Sequence, residues 1–243
     1  MRALLFDVDG TLTVSRQKID PVFHDEFLKI CENYHVYLVT GSDRPKTVEQ
    51  LGEKIYFAAQ RVYNCSGNDI WEQDKNIYTN DWSLPEKPWK YLESQLLQSK
   101  FAPKTGWHFE ERPGMLNFSI LGRKAQPHQR QYYIDWDKKT NERRLIRDEF
   151  VSAFGNEFSV TAEIGGETGL DIYPLGCDKG QIIEDFENYD DVLFFGDKTM
   201  PGGNDHSIAV KVDSHAPDSQ SYQVDNWEHT RKLLKQLGVY KKI

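Results

Sequence analysis

Only three cysteines occur among the 243 residues, and Cys31, Cys65 and Cys177 are scattered without paired spacing. Neither a disulfide framework nor a cysteine-rich zinc site is therefore written into the chain. The odd number suits reduced thiols in a reducing compartment, where cysteine behaves as a small apolar residue. Long hydrophobic runs are lacking as well. After Met1-Arg2 the stretch Ala3-Leu4-Leu5-Phe6 ends at Asp7, too short for a secretory signal. No run approaches the roughly 20 apolar residues of a membrane span. Positive charge is not in excess either: a formal net charge of −8 suits neither nucleic acid nor an anionic membrane. An anionic ligand must then be met by a local cluster. Low-complexity tracts and internal repeats are missing, which excludes solenoids and disordered scaffolds. What these absences leave is a soluble cytoplasmic protein, long enough for two domains.

What is present begins at the first strand. Asp7-Val8-Asp9-Gly10-Thr11-Leu12 follows Ala3–Phe6 directly, setting two carboxylates at the end of a buried strand. In an open parallel sheet ligands bind beyond the carboxyl ends of the strands, so these side chains face a site. Asp7 could attack phosphorus and become an aspartyl-phosphate, with Asp9 moving the proton of the leaving or attacking hydroxyl. Two clustered carboxylates repel unless a cation is present, which predicts a hard metal, most simply Mg²⁺. Phe194-Phe195-Gly196-Asp197 repeats this logic and Gly202-Gly203-Asn204-Asp205 follows in one loop. Asp197 reads as a metal ligand; Asp205 either binds the metal through water or orients another group. The paired glycines would let backbone approach an anion or ion. Lys179 could neutralise phosphoryl oxygens, although a solvated lysine is the ordinary reading. Thr40 and Ser42 could hydrogen-bond a phosphoryl oxygen or cap the next helix.

Around these residues the chain alternates strand and helix: Ala3–Phe6, a helix over Pro21–Cys31, a strand Val36–Val39, a helix from Pro45 to Leu51-Gly52, and a strand ending at Val62-Tyr63-Asn64. This is the grammar of βαβ units. A hairpin-like stretch, Ile70–Tyr78, turning at Asp74-Lys75-Asn76, is expected to interrupt the sheet. From Trp82 to Pro88 the prolines mark a linker into a second domain. There the pattern predicts a helix over Trp89–Leu97, strands His108–Glu111 and Met115–Leu121, a helix over Thr140–Phe154, and strands Phe158–Ala162 and Leu170–Tyr173. Pro174-Leu175-Gly176 leads back. The first grammar resumes with a helix after Asp178-Lys179, strands Val192–Phe195 and Ala209–Val212, and a closing helix capped by Asn226 and ended by Gly238. In the second domain basic and acidic residues nearly balance, so phosphate would be gripped by particular arginines, Arg112, Arg123 and Arg130. Arg143, Arg144 and Arg147 read as a solvated helix face.

The stretches Phe6–Thr13, Arg16-Gln17-Lys18-Ile19, Gly41-Ser42-Asp43, Arg112-Pro113-Gly114-Met115-Leu116-Asn117, Gly122-Arg123 and Phe194–Asp205, in this order, resemble the eukaryotic-type phosphomannomutases of the haloacid dehalogenase (HAD) superfamily. The resemblance runs through nearly the whole chain. It implies an α/β fold: a Rossmann-like HAD core with a parallel sheet, from residues 1–80 and 178–243, plus an inserted α+β cap domain with an antiparallel sheet over 81–177. It implies Asp7 as nucleophile, Asp9 as acid/base, Lys179 and Ser42 as catalytic partners, and Mg²⁺ held by the Asp7 side chain, the Asp9 carbonyl and Asp197, with Asp205 beside them. Arg16, Arg112, Arg123, Arg130, Gly169 and Asp171 would bind substrate. The implied reaction interconverts mannose 6-phosphate and mannose 1-phosphate with a hexose 1,6-bisphosphate activator, supplying GDP-mannose synthesis, in a cytoplasmic homodimer joined through the cap. Hexose phosphates are the partners, with no nucleic acid or membrane. Departures are Pro113 for the usual asparagine, no proline near Ile120-Leu121, and Gly169 for the usual serine, which removes a hydroxyl from the sugar or phosphate site. A sugar phosphatase using the same aspartyl-phosphate, and a non-catalytic sugar-phosphate-binding protein, are the competing readings; the second would need no nucleophile.

Overall fold

The computed structural model describes residues 1–242. Eleven strands run in chain order: β1 Arg2–Phe6, β2 His35–Val39, β3 Arg61–Asn64, β4 Asp69–Glu72, β5 Lys75–Thr79, β6 Phe109–Arg112, β7 Met115–Phe118, β8 Val160–Gly165, β9 Gly169–Pro174, β10 Asp191–Gly196 and β11 Gln220–Gln223. They form two sheets in two separate units, one of residues 1–80 with the chain from Cys177 onward, the other Asp81–Gly176.

In the first unit the sheet order is β11-β10-β1-β2-β3-β4-β5. The first five strands are mutually parallel, with Leu5 of β1 opposite Phe194 on one side and Tyr37 on the other. Ala3, Leu4, Leu5 and Phe6 are all fully buried, because helices cover both faces of an interior parallel strand. One face buries Leu4, Phe6 and Leu38 against Phe23, Phe27 and Ile30 of the helix Pro21–Asn33; the other buries Leu5 and Phe194 against Phe186 and Ile208. That first helix starts where Asp20 accepts from the N–H groups of Val22 and Phe23, with Pro21 in its first turn. Strand order reverses at β1, which has β10 on one side and β2 on the other, so the loop beginning at Asp7 leaves from a topological switch point.

Several elements differ from the sequence pattern. Ala209–Val212 is not a strand but part of the helix His206–Asp213: Ile208, Ala209 and Val212 are buried while Val210 is exposed, which is helical spacing under two β-branched residues. The edge strand is β11, whose polar residues give no apolar signal. The hairpin does not interrupt the sheet but extends it, since β4 pairs antiparallel with β3 and β5 with β4, and the turn falls at Gln73, in the left-handed region with φ of 54°. The segment after Asp178 is a 3₁₀ helix, Lys179–Phe186. A short helix Glu53–Ala58 follows Gly52 without having been signalled.

In the second unit the antiparallel sheet runs β6-β7-β9-β8. Its apolar face, with Leu116, Phe118, Leu170 and Ile172, packs on Leu92, Tyr133, Ile146 and Phe150 of the helices Glu86–Gln98, Pro127–Thr140 and Glu142–Phe158. The helix expected over Thr140–Phe154 is Glu142–Phe158; the helix Pro127–Thr140 before it, parted from it by Asn141 in the left-handed conformation, was not signalled. Arg143 is not on a solvated face: it ion-pairs with Asp137 at 2.8 Å, both side chains 13% exposed. Strand alternation puts Glu110, Arg112, Asn117 and Asp171 on the face opposite the helices, with Glu110 opposite Asn117 and Asn117 opposite Asp171 in register.

Candidate active site

The ends of the parallel strands deliver the first set of side chains. Past β1, the N–H of Asp7 still donates to the Phe195 carbonyl at 2.9 Å, so its side chain leaves from a rigid ladder. Gly10, with φ of 88°, turns the chain back onto Asp197: a Cβ there would stand 2.6 Å from Asp197 Oδ2. Only glycine permits that approach.

Lys179 is not the solvated lysine of the ordinary reading. It is 1% exposed, and its Nζ donates to Asp7 Oδ1 and to Asp205 Oδ1, both at 2.6 Å. Asp7 Oδ2 accepts from Thr11 Oγ1 at 3.1 Å. Burial opposes the charge of Lys179, yet Asp205 and Asp7 outweigh it and raise its pKa. Burial pushes the Asp7 carboxyl well above the usual carboxylate range, and Asp205 adds to this against the pull of Lys179. Asp205 is wholly buried, and its second oxygen accepts the Lys198 N–H at 3.0 Å, so it orients Lys179 and the loop after Asp197.

Carboxylate oxygens of Asp7, Asp197 and Asp205 all lie within 4.8 Å of one another. The buried Asp7 and Asp205 with the partly buried Asp197 outnumber Lys179 and the Lys198 ammonium, which lies 4.0 Å from Asp197, so net negative charge remains, and Asp197 is pushed up to about 6 by burial and by Asp205 against Lys198. That surplus and the all-oxygen donor set fit a hard divalent cation. Asp7 and Asp197 are the side chains that could hold it, with Gly10 pressed against the second.

Asp9 points its carboxylate elsewhere. Oδ1 accepts from the Arg16 backbone N–H at 2.6 Å and from Gln50 Nε2 at 2.9 Å, and Oδ2 from Ser42 Oγ at 3.4 Å. Burial works against its charge, but Lys46, the Arg16 N–H and Gln50 hold its pKa below the ordinary value. Gln50 was missed in the sequence; its one signal was a polar residue on the buried stripe Thr47, Gln50, Leu51 of the helix Arg44–Leu51. Ser42 does not cap that helix, a task Asp43 performs by accepting the Lys46 N–H, while Thr40 Oγ1 accepts the Ser42 N–H. A Cβ at Gly203 would lie 2.1 Å from the Lys198 carbonyl, so the close approach this glycine allows is to the loop's own backbone.

The second unit gathers other predicted residues. Arg112 and Arg123, with side chains 7% and 6% exposed, both donate to Glu110 Oε2. Burial and the charge of Arg112 depress the Arg123 pKa. Glu110, unforeseen from sequence, thus holds two guanidiniums side by side. Arg130 has different partners, Glu167 at 2.7 Å and Thr168 Oγ1 at 3.5 Å. Asp171 Oδ1 accepts from Asn117 Nδ2 at 2.5 Å. At Gly169 the place of a side chain is taken: a Cβ would stand 2.9 Å from the Asn117 amide. The missing serine hydroxyl therefore leaves no empty space.

The sequence matches the model of the eukaryotic phosphomannomutase family over residues 23–239. It is 33% identical to a phosphomannomutase of Triticum aestivum over 214 residues, 84% of each chain. It is 31% identical to phosphomannomutase 1 of Homo sapiens over 230 residues, 84% of this chain and 81% of that one. Among solved structures, the C-terminal domain of the C. albicans trehalose-6-phosphate phosphatase matches with a TM-score of 0.65 at 15% identity, covering 98% of this chain and 91% of that one. A HAD subclass IIB sugar phosphatase matches with a TM-score of 0.59 at 15% identity, covering 98% and 100%. These structural likenesses, at 15% identity, bear on the fold alone.

Proposed function

The chain belongs to the eukaryotic phosphomannomutase family, and on that premise we propose that it interconverts mannose 6-phosphate and mannose 1-phosphate through a phosphorylated Asp7. The observation that carries this reading is the buried Asp7–Lys179–Asp205 triad at the end of β1, a nucleophile held in place by the charge that would also neutralise a phosphoryl group.

Asp7 attacks one phosphorus of a hexose 1,6-bisphosphate; the bond from that phosphorus to the sugar oxygen breaks, and the departing oxygen takes a proton from Asp9. The hexose monophosphate then presents its other hydroxyl. Asp9, now ionised, removes that proton as the oxygen attacks the aspartyl-phosphate, which restores the bisphosphate and frees Asp7. Arg16, Gln50 and Ser42 hold the Asp9 carboxylate for both transfers. Mg²⁺, held by Asp7, Asp197 and the Asp9 carbonyl, would supply charge neutralisation of the phosphoryl oxygens and keep Asp7 ionised. A substrate with two phosphates needs a second anion grip, and the paired guanidiniums of Arg112 and Arg123, with Arg130, have that chemistry; Asp171 would take sugar hydroxyls. The three free cysteines and a hexose-phosphate substrate support a cytoplasmic reaction, one that would feed GDP-mannose synthesis.

The test is incubation with Mg²⁺, mannose 1-phosphate and catalytic hexose 1,6-bisphosphate, followed by phosphorus NMR. Mannose 6-phosphate accumulating without free phosphate is expected. Inorganic phosphate released in step with substrate loss would make the protein a sugar phosphatase instead.

A further inference from the structure

The polar face of the second unit's sheet carries an acceptor with no partner. Asn117 sits on β7, 5% exposed. Its Nδ2 donates to Asp171 Oδ1 at 2.5 Å, and because an ionised carboxylate only accepts, this bond fixes which way the amide faces. Asn117 Oδ1 is then turned away from Asp171, buried, and meets no hydrogen-bond donor among the described residues. A buried acceptor left in that state is costly unless something else fills it.

Two glycines explain how the amide comes to lie there. Gly165 and Gly169 face each other across β8 and β9. A Cβ at Gly165 would come 2.2 Å from Asp171 Oδ2, and one at Gly169 would stand 2.9 Å from both polar atoms of the Asn117 amide. Asn117 and Asp171 therefore lie down over bare backbone, and any side chain at Gly169 would push the amide away. The neighbours select the ligand chemistry. An anionic group is repelled by Asp171, and a cation by the guanidiniums of Arg112 and Arg123 on the same face; a neutral hydroxyl can donate to Oδ1 without either cost.

Building on the hexose-phosphate reading above, we propose that Asn117 Oδ1 accepts a hydrogen bond from one ring hydroxyl of the sugar, and that Gly169 is what allows it. Asn117 is thus a residue that determines which sugar is preferred. The experiment measures kcat and KM of the wild type, Asn117→Ala and Gly169→Ala with mannose 1-phosphate and its 2-, 3- and 4-deoxy analogues. Asn117→Ala is expected to lose roughly three- to tenfold in kcat/KM on mannose 1-phosphate, the worth of one hydrogen bond. The loss should be carried mainly by KM and should vanish for the one analogue that lacks the partner hydroxyl. Gly169→Ala, whose Cβ displaces the amide without removing it and adds no hydroxyl, should give the same pattern, and it decides the matter if Asn117→Ala fails to fold. A loss equal across all analogues, or no loss, overturns the proposal. If the wild type turned over no mannose phosphate, the functional reading would fall first; calorimetric binding of the same analogues to the same variants would then read Asn117 with the same two outcomes.

Discussion

Asp7 is held under tension of charge: burial and Asp205 disfavour its ionised form, and Lys179 sustains it. Removing that charge should not cost the fold. Asp7→Asn is expected to melt at the same temperature as the wild type or higher, yet to form no acid-stable or base-labile phosphoenzyme with labelled bisphosphate and no product; turnover by this variant would remove Asp7 as nucleophile. Asp197 gives a pH dependence with a definite sign. Its pKa in the folded protein is about 6, above the ordinary 3.8, so the folded state keeps a proton that the unfolded chain releases. Unfolding free energy from this group therefore falls as pH rises from about 4 to about 6, by at most about 3 kcal/mol. A divalent cation, by favouring the ionised form, removes that penalty. The Tm gain on adding Mg²⁺ should accordingly grow between pH 4 and 6 and level off above; calorimetric scans showing a gain independent of pH would contradict the assignment of Asp197 to the metal.

At the scale of elements, Arg143 ties three of them together. Its Nε donates to Asp137 in the last turn of the preceding helix at 2.8 Å, and its Nη1 reaches the carbonyls of Gly166 and Gly169 in the β8–β9 turn at 3.3 and 3.5 Å. Breaking a largely buried pair strands the remaining charge, so Arg143→Ala should cost about 3 kcal/mol. Denaturant unfolding that shows less than about 1 kcal/mol would return Arg143 to the solvated face. The sequence reading placed it there because charged neighbours on a helix read as solvent-facing; only the fold brings the β8–β9 turn beneath it. The same distinction runs through the molecule. Strands whose two faces are buried were legible as apolar runs ending in Asp7 and Asp197, since burial on both sides leaves no alternation to decode. Ala209–Val212 misled because β-branched residues serve helices as well as strands when packing dictates. Gln50 and Asn117 act through partners 41 and 54 positions away, and Glu110 joins its near neighbour Arg112 to Arg123, 13 positions on; no local pattern encodes the distant pairings.

For the whole molecule, the division of the first unit into two sequence segments raises the question of what joins them. The side chain of Asn68, fully buried, answers it: its Nδ2 donates to the Cys177 carbonyl at 3.0 Å, and its Oδ1 accepts from Asn80 Nδ2 at 2.9 Å. Both ends of the gap in the first unit are thus fastened to one residue. Joining Asn80 to Cys177 by a short glycine-serine linker, with 81–176 removed, should leave a protein that melts cooperatively with the circular dichroism of an α/β sheet, but without mutase turnover. A non-cooperative melt would show that the first unit depends on the second for its fold.

Asn68 also bears on how new sugar specificities could arise. Because the chain leaves and re-enters at a single address, a foreign module needs only to present two ends to one buried amide, and the phosphoryl chemistry can be inherited unchanged. Evolution can exchange the reader and keep the engine.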